Sequence, residues 1–283
     1  MTPPPPPLEY VGEWGTRGDG PGQLGGPTGI AVDAVGNIFI ADGASQFVHK
    51  FNALGRPLES FQDAGLRQPS GIALDRGDAI YVSDCQQNSV QIFLFSAVRL
   101  RVLRGAGRRL NCPGDVKVDA DGYVFVLSDD GHRILAFDNR GRGIKSWGQR
   151  GSAPGEFDPA TALAIGADGL LYVLDAGNHR VQKFSRAGEF VSQWEIPPPE
   201  GAALPENALT GIAVSRDSVF IANSARRTID VWSLDGEHKM ETNGGGHLYS
   251  ERVGTLRLTL SPRSELLVLD TSGARVLRFR INF

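Results

Sequence analysis

Carboxylates recur at one place in this chain of 283 residues: Asp42, Asp84, Asp175 and Asp270 each stand nine positions before an aromatic, at Phe51, Phe93, Phe184 and Phe279. Four carboxylates converging on an axis could hold a cation or share a proton. An Asp at a strand end also caps the backbone N–H groups of the turn that follows, and that is the simpler reading. The five histidines, His49, His132, His179, His238 and His247, could supply zinc ligands only if three met within about 2.0–2.3 Å of one point. His132 and His179 hold the same offset in neighbouring sequence units, so symmetry keeps them apart, and the others fall on a third strand, an outer strand and a loop. No metal set and no cofactor is therefore expected. Nucleophilic chemistry has no better footing, because no Gly-x-Ser-x-Gly elbow and no Cys with a His and an acid in register is present. The sequence offers no catalytic residues.

Arginine is the more suggestive chemistry. Arg17, Arg104, Arg108, Arg109, Arg150, Arg226 and Arg227 fall in connections that should emerge together, with the run RVLRGAGRR at residues 101–109 the densest. Forked guanidinium donors suit a carboxylate-bearing or otherwise anionic ligand. The plainer alternative is a solvated face, since Asp19, Asp129, Asp130, Glu206 and Glu251 share those loops. His132, His179, His247 and Tyr249 complete the candidate binding set. Leu209 joins it from the long connections at residues 195–210 and 241–254, which exceed what linkage requires. Arg133, Arg180 and Arg275 occupy a separate repeat offset and are expected to pair with neighbouring strand-end acids. Cys85 and Cys112 start loop-face segments in adjacent units. Register permits a disulfide, which needs Cα atoms about 4.4–6.8 Å apart and would imply an oxidising compartment; two independent small buried residues remain the alternative.

These residues are positioned by a repeat. WGTRGDGPGQL at residues 14–24 returns as WGQRGSAPGEF at residues 147–157, and the unit behind each copy can be followed six times. GIAVDAVGNIFIAD (29–42), GIALDRGDAIYVSD (71–84) and DVKVDADGYVFVLS (115–128) each read as two short strands around a tight turn. A third strand ends at the aromatic, and a fourth carries Phe61, Leu103, Trp147 or Trp194. Four strands per unit make an all-β, six-bladed propeller of antiparallel blades. The sixth unit stops four residues after Phe279, without room for its fourth strand, so EYVGEWG at residues 9–15 is expected to complete the last blade and close the ring. The inner strands, taken at residues 30–33, 72–75, 116–119, 163–166 and 212–215, offer mainly small and apolar residues to the channel.

Composition agrees. Thirty-six glycines supply the turns, a net charge of −3 gives no reason for nucleic-acid or membrane-surface binding, and no run approaches the roughly 20 apolar residues of a membrane span. Residues 1–7 read as a Pro-rich tail or linker stub and residues 8–283 as the propeller. A monomer is expected, and the compartment is not specified.

GPTGIAVDAVGNIFIADGASQFVHKF at residues 26–51, and still more LDAGNHRVQKF at 174–184, resemble the NHL-repeat family over roughly residues 8–283. The fifth and sixth units depart from the pattern, with Asn223-Ser-Ala-Arg-Arg and Ser261-Pro-Arg in place of its turns. The resemblance implies a six-bladed propeller used for recognition of protein partners, or of RNA in some animal members. It also implies, as the first alternative, a metal-dependent lyase or lactonase-like enzyme. The sequence reading favours a non-catalytic module that binds an unknown protein or an anionic ligand on the loop face, with nucleic acid a second alternative.

Overall fold

Six antiparallel four-stranded sheets form the ring in the computed structural model, which describes residues 7–94, 96–198, 205, 208–248 and 254–282. Blade 1 runs outward from the axis as Pro27–Val32, Ile38–Asp42, Val48–Phe51 and Pro57–Phe61. Blades 2 to 5 repeat it over residues 69–103, 116–147, 160–195 and 209–242. Blade 6 is Leu256–Leu260, Glu265–Asp270 and Arg275–Ile281, and its outer strand is the N-terminal Leu8–Trp14. That strand pairs antiparallel from Leu8 against Ile281 to Trp14 against Val276, with a one-residue bulge between Tyr10 and Gly12, and Asn282 N–H donates to the Pro7 carbonyl at 2.9 Å. Helix among the described residues is limited to two single 3₁₀ turns, Asp129–Gly131 and Gly244–Gly246. Among the described residues no helix is long and apolar enough to cross a membrane.

The second strands (IFIAD, IYVSD, VFVLS, LYVLD, VFIAN) are buried along their whole length. Both of their faces are covered by adjacent blades, which is why they read as continuous apolar runs rather than alternating ones. Apolar clusters span blade boundaries: Leu24, Ile30, Ile38, Ile40 and Phe51 pack with Leu267, Leu269 and Val276 of blade 6. No blade therefore owns a core, and stability depends on the closed ring.

Two devices fix the blade-to-blade angle. The outer-strand aromatic lies on the third turn of the next blade, and that turn must be glycine. A Cβ at Gly55, Gly188 or Gly236 would come within 2.1, 2.7 or 2.5 Å of Trp14, Trp147 or Trp194, and all three glycines have positive φ. Nearer the axis runs a belt of side-chain hydrogen bonds to backbone. Thr28 Oγ1 donates to the Pro69 carbonyl at 2.9 Å, Ser83 to Gly114, Thr161 to Leu209 at 2.9 Å and Thr210 to Leu256 at 3.0 Å. Leu163 N–H donates to Asp115 Oδ2 at 2.8 Å, and Arg257 Nε to the Thr28 carbonyl at 3.3 Å. Every blade boundary is bridged at least once.

The strand-end carboxylates are turn caps. Asp42 accepts N–H bonds from Gly25, Gly26, Ala44 and Ser45, and Asp84 from Arg67, Gln68 and Gln87. Both are fully buried, so they do not line the channel. Asp175 and Asp270 hold the same place and pair with Arg180 and Arg275 at 2.7 and 3.2 Å. Arg133 turns to Asp129 at 3.0 Å, because Ser128 occupies the strand end in its blade.

Candidate functional site

The loop face is made by the connections between blades and the turns between second and third strands, and the arginines expected there are distributed around its rim. Arg17 donates to the Ser272 carbonyl, Arg150 pairs with Asp158 at 2.9 Å, and Arg226 pairs with Glu241 at 2.8 Å. Arg108 and Arg109 are exposed, and their side chains make no hydrogen bond or ion pair among the described residues. Arg227 departs from expectation. It is buried beneath the face, 3.8 Å from Asp270, so it cannot serve as a surface contact.

The remaining candidates do not converge. His132 Nδ1 lies 2.8 Å from the Asp129 carbonyl oxygen, with Nε2 3.5 Å from Asp158. His179 is a half-buried turn residue at positive φ, 50°. His247 stacks flat on Tyr10 with ring centroids 3.5 Å apart. Leu209 is fully buried in the interface of blades 4 and 5 and so is no contact residue. Tyr249 lies outside the described residues, as do Glu206 and Glu251. Cys85 and Cys112 are joined by a disulfide. Among the described residues no three His, Cys, Asp or Glu side chains come together.

The axis holds what sequence reasoning missed. The innermost position of the inner strand is Gly29, Gly71, Asp115, Ala162, Gly211 and Arg257 in successive blades. At the three glycines a Cβ would come within 3.0, 2.6 and 2.6 Å of the next strand's backbone. Small residues there let the strands close in, and two opposite charges occupy blades 3 and 6. Asp115 Oδ1 pairs with Lys117 at 2.6 Å. Arg257 Nη1 donates to the carbonyls of Thr161 and Thr210 at 3.1 and 2.7 Å. Burial pushes the Arg257 pKa down from its usual value, and Asp115 partly offsets this. These side chains narrow the channel to a cavity of about 20 Å³. The loop-face mouth has about 330 Å³ and the short-turn mouth about 240 Å³. The signal was available by sliding the repeat alignment one residue earlier and extending it to blade 6, whose inner strand reads LRLTL.

A second pocket of about 270 Å³ lies between blades 4 and 5 and includes Pro197, Arg226, Asp230, Trp232, His238 and Glu241. Asp230 sits directly across from Glu241 on the neighbouring strand. Burial first, and then the Glu241 charge, push its pKa up to about 6, with Arg226 opposing. A folded-state pKa above the unfolded value means that the protonated form favours folding: the contribution is complete below about pH 4 and lost as pH rises through 6. Asp230→Asn is therefore expected to stabilise the protein at pH 7 by on the order of 2 kcal/mol and to flatten its melting temperature between pH 4 and 7. Calorimetry across that range checks it, and an Asn variant less stable at pH 7 counts against the pair.

Comparison with known proteins agrees with the repeat register. The model of the NHL repeat matches residues 66–93 and 160–184, in blades 2 and 4. Protein brain tumor of Drosophila melanogaster is 26% identical over 144 residues, which are 49% of this chain and 14% of that protein. The chain thus spans about one-seventh of its relative's length. Among solved structures, a streptogramin B lyase superposes with a TM-score of 0.67 at 12% identity, covering 97% of this chain and 98% of that one. A chain of a nidogen/laminin complex gives 0.65 at 17% identity, covering 78% and 81%. At those identities the likeness concerns the fold alone. With six closed four-stranded blades and the repeat model matched in two of them, this chain is a six-bladed propeller that carries NHL repeats.

Proposed function

We propose that the propeller is a recognition module whose loop-face rim takes an acidic segment of a partner protein, with Arg108 and Arg109 as first contacts. The carrying observation is the contrast around the rim: Arg17, Arg150 and Arg226 are engaged within the fold, whereas this pair is exposed and uncommitted among the described residues. Their loop is braced. Ala106 N–H donates to the Arg108 carbonyl, Leu110 N–H to Arg104, and Cys112 N–H to Asn88 Oδ1 at 2.7 Å. Ala106 and Leu110 are buried under it, and the Cys85–Cys112 bond ties it to blade 2. A pair presented on an ordered backbone gives up little freedom on binding. The disulfide fits an oxidising compartment.

Fluorescence anisotropy with a labelled hexaglutamate peptide, and with single-stranded RNA of equal charge, tests this reading. The peptide should bind with an affinity that falls with salt, and Arg108→Ala with Arg109→Ala should weaken it about five- to thirtyfold, since exposed charges contribute about 0.5–1 kcal/mol each. The melting temperature should stay within about 1 °C of the parent. Tighter binding of the RNA, or peptide binding indifferent to the pair, defeats the proposal. A lyase-type reading has weaker support, because His49 is buried against Ser60 and the other described histidines are dispersed.

A further inference from the structure

We propose that the loop-face mouth of the central channel is a binding site for a small organic monocarboxylate, held by the Arg257 guanidinium. This goes beyond the rim reading and uses none of its residues. A guanidinium carries five N–H donors, and the chain shows what a purely structural arginine does with them. Arg180 satisfies all five: Nε donates to Asp175, Nη1 to the Ser152 carbonyl and Gln193, and Nη2 to the carbonyls of Ala153 and Glu156. Its charge is matched at 2.7 Å. Arg257 commits three, through Nε and Nη1, all to neutral carbonyls. Nη2 donates to nothing among the described residues, and no carboxylate there pairs with Arg257.

Charge makes the same point. Three ionised side chains meet at the axis, and Lys117 and Asp115 neutralise each other at 2.6 Å. Arg257 is left with the net positive charge of the group and is half-buried, and a partly desolvated cation gains from an anion that completes it. The cavity onto which it opens has the matching shape. About 330 Å³ lies beside it, bordered by Pro27, Ala44 and Pro69 and by the polar residues Thr28, Gln68, Ser70, Thr255 and Thr271. Ser70 Oγ donates to the Gln68 carbonyl and Thr271 Oγ1 to the Thr255 carbonyl, so those hydroxyls are already engaged. One nitrogen with two free N–H groups suits the two oxygens of a carboxylate, and the exposed Ala44 methyl at the mouth leaves a place for a short hydrocarbon tail. Phosphate, with more charge and more oxygens, would meet a single cation beside hydroxyls whose protons are already committed.

Saturation-transfer NMR on the intact protein with butyrate provides the test, with butyramide as the uncharged isostere and inorganic phosphate as competitor at constant ionic strength. Butyrate should show transfer, strongest at its methyl group; butyramide should show none, and phosphate should not displace butyrate. Arg257→Gln should weaken binding at least about tenfold, the factor set by 1.4 kcal/mol. Because Arg257 also closes the inner belt, Ala44→Trp is the second variant: Ala44 is an exposed wall residue, and the indole should block the mouth to the same degree while the fold is kept. Arg108→Ala with Arg109→Ala should leave butyrate binding unchanged, which separates this site from the rim. Equal binding of butyramide, displacement by phosphate, or full affinity in a folded Ala44→Trp protein overturns the proposal.

Discussion

Removing residues 8–15 is expected to lower the melting temperature by more than about 10 °C and to leave a protein prone to aggregation. The strand Leu8–Trp14 contributes six paired residues along Arg275–Ile281. Leu8 is buried with Phe279, and Trp14 covers Phe51 and the glycine turn at Gly55. Burying one large apolar side chain is worth about 1.5–3 kcal/mol, so Leu8, Tyr10 and Trp14 together amount to roughly 5 kcal/mol before any ladder bond is counted. Whole domains are stable by about 5–15 kcal/mol. Deletion also exposes the backbone edge of Arg275–Ile281, a template for pairing with another chain. A circular permutant carrying residues 1–15 after Phe283 should recover the parent's stability, because Pro7 and Asn282 already touch. Calorimetry decides: a truncated protein melting within about 2 °C of the parent would mean the ring does not depend on this strand.

That dependence was legible because closure is a matter of counting. The sixth unit lacks a strand, the N-terminus has one to spare, and the same WG ends the corresponding run before blade 4. Strand-end acids, their capping role and the arginines that pair with Asp175 and Asp270 follow equally from repeat position, because each is a local consequence of a turn that recurs. What could not be read this way is whatever breaks the repeat. Asp115 and Arg257 occupy a position that glycine or alanine fills in the other four blades, and their meaning arises only when blades 3 and 6 stand opposite each other across the ring. Arg227 illustrates the converse. Its turn suggests a surface residue, yet packing of blade 6 buries it beside Asp270, a contact between units that no single-unit pattern encodes.

The second large effect is expected from Arg180→Leu, which should lower stability by about 3–5 kcal/mol, the range for removing one partner of a buried ion pair. Arg180 is about 6% exposed at its side chain and Asp175 is not exposed at all. The guanidinium also holds the connection between blades 3 and 4 through the carbonyls of Ser152, Ala153 and Glu156. Leucine would leave the Asp175 charge supported by Asn178, Gln182 and the Asp158 N–H and would take a donor from three carbonyls at once, of which those of Ala153 and Glu156 keep the Glu156 N–H and Gln182 as partners. Arg150→Leu supplies the comparison. Arg150 belongs to the same connection and pairs with Asp158 at a similar distance, but it is 76% exposed, so its loss should change stability by less than about 1 kcal/mol. Urea denaturation of both variants measures the difference directly. If the two lose the same small amount, the buried pair does not anchor the connection, and the recurrence of Arg at this offset in blades 3, 4 and 6 would need a cause outside stability.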